Sequence, residues 1–278
     1  MELSAKLLSL TAVFYGAAFV FHLRSFAPAQ DGKPSPAFAL MRIGFLISTF
    51  YFMTEAVHAG AFLQVVSLGQ ATAFCAWSLA FVYLVLFVRI QTESFGLILT
   101  PILLTLTATA LGLKLAVSAP AAPARPLVLD PYFTAHILSA FFAYASFTIS
   151  FAAGVLYLIQ NHQLKSKTPG NFYYRLPSLE ELERLVCRPL FWGAPLLLVA
   201  AAVGVVWSKS AFGRYWIFDP KTIATSATAV LYFAILYLHS VSSVRGKQVA
   251  VLSLIAFALV IFSFVGTRFL SGSHPGWP

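Results

Sequence analysis

Long apolar runs separated by short polar breaks make up most of this chain, and none shows the strict alternation of a barrel strand. A helix needs about 20 apolar residues to cross a hydrocarbon core. Eight runs meet that length, over residues 5–24, 37–58, 71–90, 95–117, 133–160, 190–208, 221–240 and 248–268. The pattern therefore predicts an all-α polytopic membrane protein, a bundle of about eight transmembrane helices. The first run lacks a convincing small-residue cleavage site and reads as a retained helix.

Two breaks stand out. Residues 118–126 form a Pro/Ala-rich linker, too stiff to continue a helix. The connection 161–189 contains Leu176-Pro-Ser178-Leu-Glu-Glu181-Leu-Glu-Arg-Leu185. Ser178 and Glu181 have capping-box spacing, and the leucines at 179, 182 and 185 predict a short amphipathic helix lying against the membrane face. Trp192 is followed by Gly193 and Pro195, which are expected to bend the start of the sixth run. No solenoid-like repeat is present.

Composition sharpens the class. Hydrophobic residues make up 59% of the 278 and charged residues only 10%, where soluble domains carry about 25%. The net charge of +9 does not point to nucleic acid, because the basic residues are scattered over the loops. They are instead biased by side: eleven of the 18 Lys and Arg fall in one set of loops and seven in the other. The richer set is expected in the cytoplasm, which places both termini and the 207–221 loop outside. Cys75 lies within an apolar run and Cys187 near the opposite face, so no disulfide between them is expected, and neither belongs to a CxxC or CxxCH motif.

The candidate chemistry lies in the histidines and one aromatic loop. His22, His162 and His239 fall toward the cytoplasm; His58, His136 and His274 fall outside. The loop from Trp207 to Lys221 carries Trp207, Phe212, Tyr215, Trp216 and Phe218, interleaved with Lys209, Arg214 and Lys221. It reads either as an interfacial aromatic belt or as a cradle for a flat apolar ligand with acidic edges. Haem is such a ligand, and its iron takes axial imidazoles. A zinc site is less favoured, since no Cys/His cluster has ligand spacing. Glu55, at the edge of the second run, is an ionisable group in or near the membrane, and His58 lies about one turn away as a pairing candidate.

These residues resemble the cytochrome c assembly (CcsA/ResC-type) family of haem-handling membrane proteins with a tryptophan-rich loop. The likeness runs from about residue 70 to the C-terminus. It is carried by Leu176–Leu185, by Trp207–Lys221, by Tyr232, Tyr237, Leu238 and His239, and by the closing segment Gly266–His274. Trp77 falls where the family often has a tryptophan. The resemblance divides the chain into two N-terminal helices over 1–69 and an assembly domain over 70–278. It implies haem b as cofactor, with His136 and His274 as axial ligands of the iron outside. His239 would be the transmembrane histidine, deeper in the bundle on the haem route from the cytoplasm. Trp207, Gly213, Tyr215, Trp216, Asp219, Pro220 and Lys221 would shape the haem-binding loop.

The implied function is to bind haem and present it at the outer face of the bacterial cytoplasmic membrane for c-type cytochrome maturation. The chain would be the haem-handling subunit of a cytochrome c synthase, working in the lipid bilayer with a ResB-type membrane partner and apocytochrome c. Three positions depart from the family pattern. Phe212 and Phe218 stand where tryptophans are usual, and Thr222 where glutamate is usual. Phenylalanine keeps the stacking face and loses the indole N–H. The family also includes eight-helix HemX-type relatives. A chain of eight runs without a large external domain fits that alternative, a membrane regulator of haem biosynthesis acting on glutamyl-tRNA reductase. A transporter reading is disfavoured, because inverted repeats and paired broken helices are not evident.

Overall fold

The computed structural model describes residues 2–25, 35–60, 63, 65, 67–87, 93–116, 130–166, 173–215, 220–241 and 244–266. Eight helices are long and apolar enough to cross a membrane, so this is a multi-pass membrane protein, and the described residues contain no strand. The helices are α1 (Glu2–Ser25), α2 (Ala37–Ala59), α3 (Leu68–Phe87), α4 (Glu93–Ala116), α5 (Pro131–Lys165), α6 (Leu179–Phe212), α7 (Pro220–Val241) and α8 (Lys247–Ile261). A π-helical turn, Phe262–Gly266, extends α8, and a 3₁₀ turn, Tyr173–Arg175, precedes α6. The Pro/Ala-rich linker lies outside the described residues.

The chain folds as two compact units, one of residues 1–129 with 170–176, the other of 130–169 with 177–278. In the first unit α1 packs on α2 and α4, and α3 packs on α4 and α2. Trp77 of α3 fills the space toward α2, stacking on Phe45 at 5.6 Å and donating its indole N–H to the Thr49 hydroxyl at 2.9 Å. Gly44 lets the Tyr15 ring lie against α2; a Cβ there would stand 2.7 Å from it. The Arg175 guanidinium donates to the Ser25 carbonyl, satisfying one of the acceptors that a helix C-terminus leaves open.

One expectation in this unit is corrected. Glu55 does not pair with His58. Its carboxylate takes the Lys114 ammonium at 2.9 Å, and Lys114 also lies over the Tyr51 ring at 5.3 Å. The exposed His58 instead donates Nδ1–H to the Thr54 carbonyl of its own helix at 2.6 Å. A mostly buried carboxylate prefers a full charge within reach to an exposed ring one turn on. That charge sits on α4, 59 residues away in sequence.

The second unit has the same ring of neighbours: α5 packs on α6 and α8, and α7 on α8 and α6. Gly154 of α5 allows close approach to α8, since a Cβ would meet Leu254 at 2.7 Å and Ser253 at 2.8 Å. Midway along the unit, Phe147 of α5 stacks on the buried Tyr232 of α7, with centroids 3.7 Å apart and planes 9° from parallel. The π turn is tied to α7 by the Ser263 and Thr225 hydroxyls, 2.9 Å apart.

Here the sequence pattern underestimates two helices. The sixth run was expected to start at 190, with a separate amphipathic helix before it; α6 is instead one continuous helix of 34 residues. Ser178 does cap it, accepting the Glu181 amide at 3.2 Å. Leu182 and Leu185 are buried within the protein and do not lie on a membrane face. Pro189 and Pro195 lie inside the helix. Each removes one donor, and the close partnership of α5, itself 35 residues long, holds the helix together through them.

Candidate functional site

α5 begins at Asp130, whose carboxylate accepts the Tyr132 amide at 2.8 Å, with Pro131 in the first helical position. The other carboxylate oxygen accepts the Ser210 hydroxyl of α6 at 3.2 Å. The start of α5 is therefore fixed against the end of α6. His136 follows in the second turn, half-buried, and its Nδ1–H donates to the Ala200 carbonyl at 2.7 Å.

Ala200, Gly204 and Trp207 are spaced i, i+4, i+7, which places them on one face of α6. The Trp207 indole lies nearly parallel to the imidazole, with centroids 6.2 Å apart and planes at 15°. The buried Phe133 ring, one turn before His136, leans on the same indole at 5.2 Å. Gly204 makes the approach of the histidine possible, since a Cβ at that position would stand 2.7 Å from Nδ1. A histidine and a tryptophan expected on sequence to share a site are thus brought together, on a floor of α6 backbone.

Past Trp207 the helix ends at Gly213. Its φ of 72° is a left-handed conformation that suits glycine, and its N–H bonds the Lys209 carbonyl at 3.1 Å. The Lys209 ammonium donates to the Gly213 carbonyl at 3.2 Å and lies over the exposed Tyr215 ring at 5.0 Å. This cationic, aromatic rim also carries the exposed Arg214. Pro220 is the first residue of α7. Trp216, Phe218, Asp219 and His274 lie outside the described residues, as do the side chains of Phe212 and Lys221.

His239 lies elsewhere. It occupies the last turn of α7, about 28 Å along that helix from Pro220. It is half-buried at a helix end, rather than deep within the bundle, and its Nδ1–H donates to the Val244 carbonyl at 3.3 Å in the turn to α8. Gly246 of that turn abuts the Tyr157 hydroxyl of α5, which a Cβ would approach to 2.6 Å. In the first unit, His22 is fully buried, with Phe38 edge-on at 5.6 Å. Both cysteines are free thiols.

Sequence reasoning found His136 and Trp207 but not the Ala200 carbonyl, Gly204 or the Asp130–Ser210 tie. A signal for Gly204 was present: a glycine inside a long apolar helix, one turn before a tryptophan, marks a place where another group comes close. What lay opposite it was not readable along the chain.

The chain is similar to known proteins along most of its length. The cytochrome c assembly protein family matches residues 65–274. The protein HemX of Brevibacillus brevis is 26% identical over 270 residues, spanning 96% of this chain and 97% of that protein. HemX of Bacillus subtilis (strain 168) is also 26% identical over 270 residues, with 97% of each covered. The cytochrome c biogenesis protein CcsA of Guillardia theta is 27% identical over 247 residues, covering 82% of this chain and 81% of its own length. With eight apolar helices and a family match over most of its length, the chain belongs to the cytochrome c assembly protein family.

Proposed function

We propose that this protein binds haem b at the His136 end of its second unit and presents it there for maturation of c-type cytochromes. That end and both termini would face outward from a bacterial cytoplasmic membrane, in keeping with the side bias of Lys and Arg. The observation that carries the reading is the His136 imidazole. A ring whose Nδ1–H is engaged by a carbonyl has its lone pair on Nε2, and a backbone-oriented histidine of this kind is the usual form of a metal ligand. The donor set fits haem: one oriented imidazole, a flat indole parallel to it, and the Lys209 and Arg214 cations at the rim for acidic edges.

When bound, haem would supply an iron that takes axial imidazoles and vinyl groups that react with thiols. The protein's own residues hold and orient. His136 and His274 would hold the iron, and Trp207 would offer a stacking face. Gly213, Tyr215, Trp216, Asp219, Pro220 and Lys221 would belong to the haem-binding loop. His239, at the opposite end of α7, is the proposed contact on the cytoplasmic side of the route. The thiols would come from an apocytochrome CxxCH, and a ResB-type membrane partner would receive that substrate.

The test is the absorption spectrum and haem content of the purified protein beside His136→Ala and His274→Ala. Haem b in the wild type, with occupancy lost or ligation changed in both variants, is the expected result. A wild type that neither carries haem nor takes it up on addition would overturn the proposal.

A second reading is favoured by a specific observation. The match to the two HemX proteins runs end to end, at 97% of their length. On that reading the protein is a membrane regulator of haem biosynthesis acting on glutamyl-tRNA reductase. Deleting the gene would then change reductase abundance and leave c-type cytochromes at their normal level.

A further inference from the structure

We infer that Gly204 is the positioning residue that decides which nitrogen of His136 carries the proton and which the lone pair, an inference that rests on His136 being the haem-binding histidine. In an α-helix the carbonyl of residue 200 points along the axis toward residue 204. Any side chain at 204 would stand beside that carbonyl and hinder approach to it. Glycine leaves the flank open, so the imidazole of α5 reaches the Ala200 oxygen at 2.7 Å. The atoms nearest the missing Cβ are Nδ1 at 2.7 Å, Cε1 at 2.9 Å and Cγ at 3.6 Å. The ring therefore meets α6 by its Nδ1 edge. Since a carbonyl only accepts, Nδ1 carries the proton in the neutral ring, and the lone pair is on Nε2.

His22 shows that a glycine beneath a histidine does not by itself produce this result. There the atoms nearest the missing Cβ of Gly96 are Cε1, Nε2 and Cδ2, so that ring meets its neighbour by the opposite edge. The same kind of contact thus turns Nε2 toward the backbone in the first unit and away from it in the second. A methyl group at 204 would push the His136 ring off the Ala200 carbonyl and remove the bond that fixes its tautomer.

The experiment uses the full chain in lipid nanodiscs with ¹⁵N-labelled histidine, as wild type, Gly204→Ala and Gly193→Ala. Gly193 is the control, because it lies on the same helix and a Cβ there meets Phe147 at the same 2.7 Å, away from His136. Without haem, the wild-type His136 signals, identified by their loss in His136→Ala, should report a ring protonated on Nδ1. Gly204→Ala should shift them toward the other tautomer or a mixture, and Gly193→Ala should leave them in place. On adding haem, occupancy should fall about tenfold in Gly204→Ala relative to Gly193→Ala. A wild-type ring protonated on Nε2, or equal effects of the two alanines, would overturn the inference. The wild-type tautomer needs neither a folded variant nor bound haem, so a protein that binds no haem sinks the proposed function and still leaves Gly204 to be judged.

Discussion

Among the described residues, His22 and His136 are the two histidines that lie against a glycine of a neighbouring helix, one in each unit, and they use that contact to different ends. His22 is sealed: its ring is fully buried, its Nε2 edge lies on Gly96, and Phe38 closes one side. His136 is half-buried near the start of its helix, with the Nδ1 edge on Gly204 and an indole alongside. Full burial suits His22 to a packing role. Partial burial with the proton tied down suits His136 to the ligand role proposed for it. The edge of the ring presented to the glycine separates the two, and residue type does not.

The largest effect should separate the rings by function. His136→Ala is expected to lower haem occupancy tenfold or more, while His22→Ala leaves the haem spectrum unchanged; titration of both purified variants with haem checks this. A loss of binding in His22→Ala equal to that in His136→Ala would break the comparison.

Stability should order the other way. Truncating the fully buried His22 leaves a cavity and should destabilise the first unit by about 2–4 kcal/mol, whereas His136→Ala, at a half-buried site, should cost about 1 kcal/mol. Thermal unfolding in one detergent reads both. The Glu55–Lys114 pair sharpens the same contrast, because it too is internal to the first unit. Lys114→Ala leaves a mostly buried carboxylate without its charge partner and should cost about 2 kcal/mol, and adding Glu55→Gln should recover part of that. Failure of the second change to recover any stability would show that the pair is not the interaction being lost. The smallest expected effect is Ser178→Ala, about 1 kcal/mol from the lost cap of α6, with the haem spectrum unmoved.

The fold was legible to the extent that hydrophobic length decides it. Eight runs became eight helices because a membrane leaves a long apolar segment few alternatives. The extent of α6 was not legible, since Pro189 marks a boundary in a lone helix and is tolerated in one that α5 supports along its length. Glu55 could be singled out as an ionisable group at the membrane, but its partner could not. Nearness along the chain suggested His58, and Lys114 reaches the carboxylate from α4, 59 residues away. His136 and Trp207, 71 residues apart, could be linked by the side bias of the loops and by family resemblance, and not by their spacing. The carbonyl that orients His136 left no mark in the sequence at all, because every residue has one.

The unbroken helix α6 also determines how the second unit sits in lipid. Its exposed positions Glu180, Arg184 and Arg188 follow one another at four-residue spacing, and the next exposed residues are Phe191, Trp192, Pro195, Leu198 and Val199. Charge gives way to hydrocarbon within a single turn. From Phe191 to the end of the helix at Phe212 is about 33 Å, close to the roughly 30 Å thickness of a bilayer's apolar core. The preceding stretch, about 18 Å from Leu179 to Leu190, belongs to water and headgroups. The helix is thus graduated like a depth gauge, with its waterline drawn between Arg188 and Phe191. A bilayer a few ångströms thicker would have to thin locally or submerge Arg188, so membrane thickness becomes a condition under which this protein works.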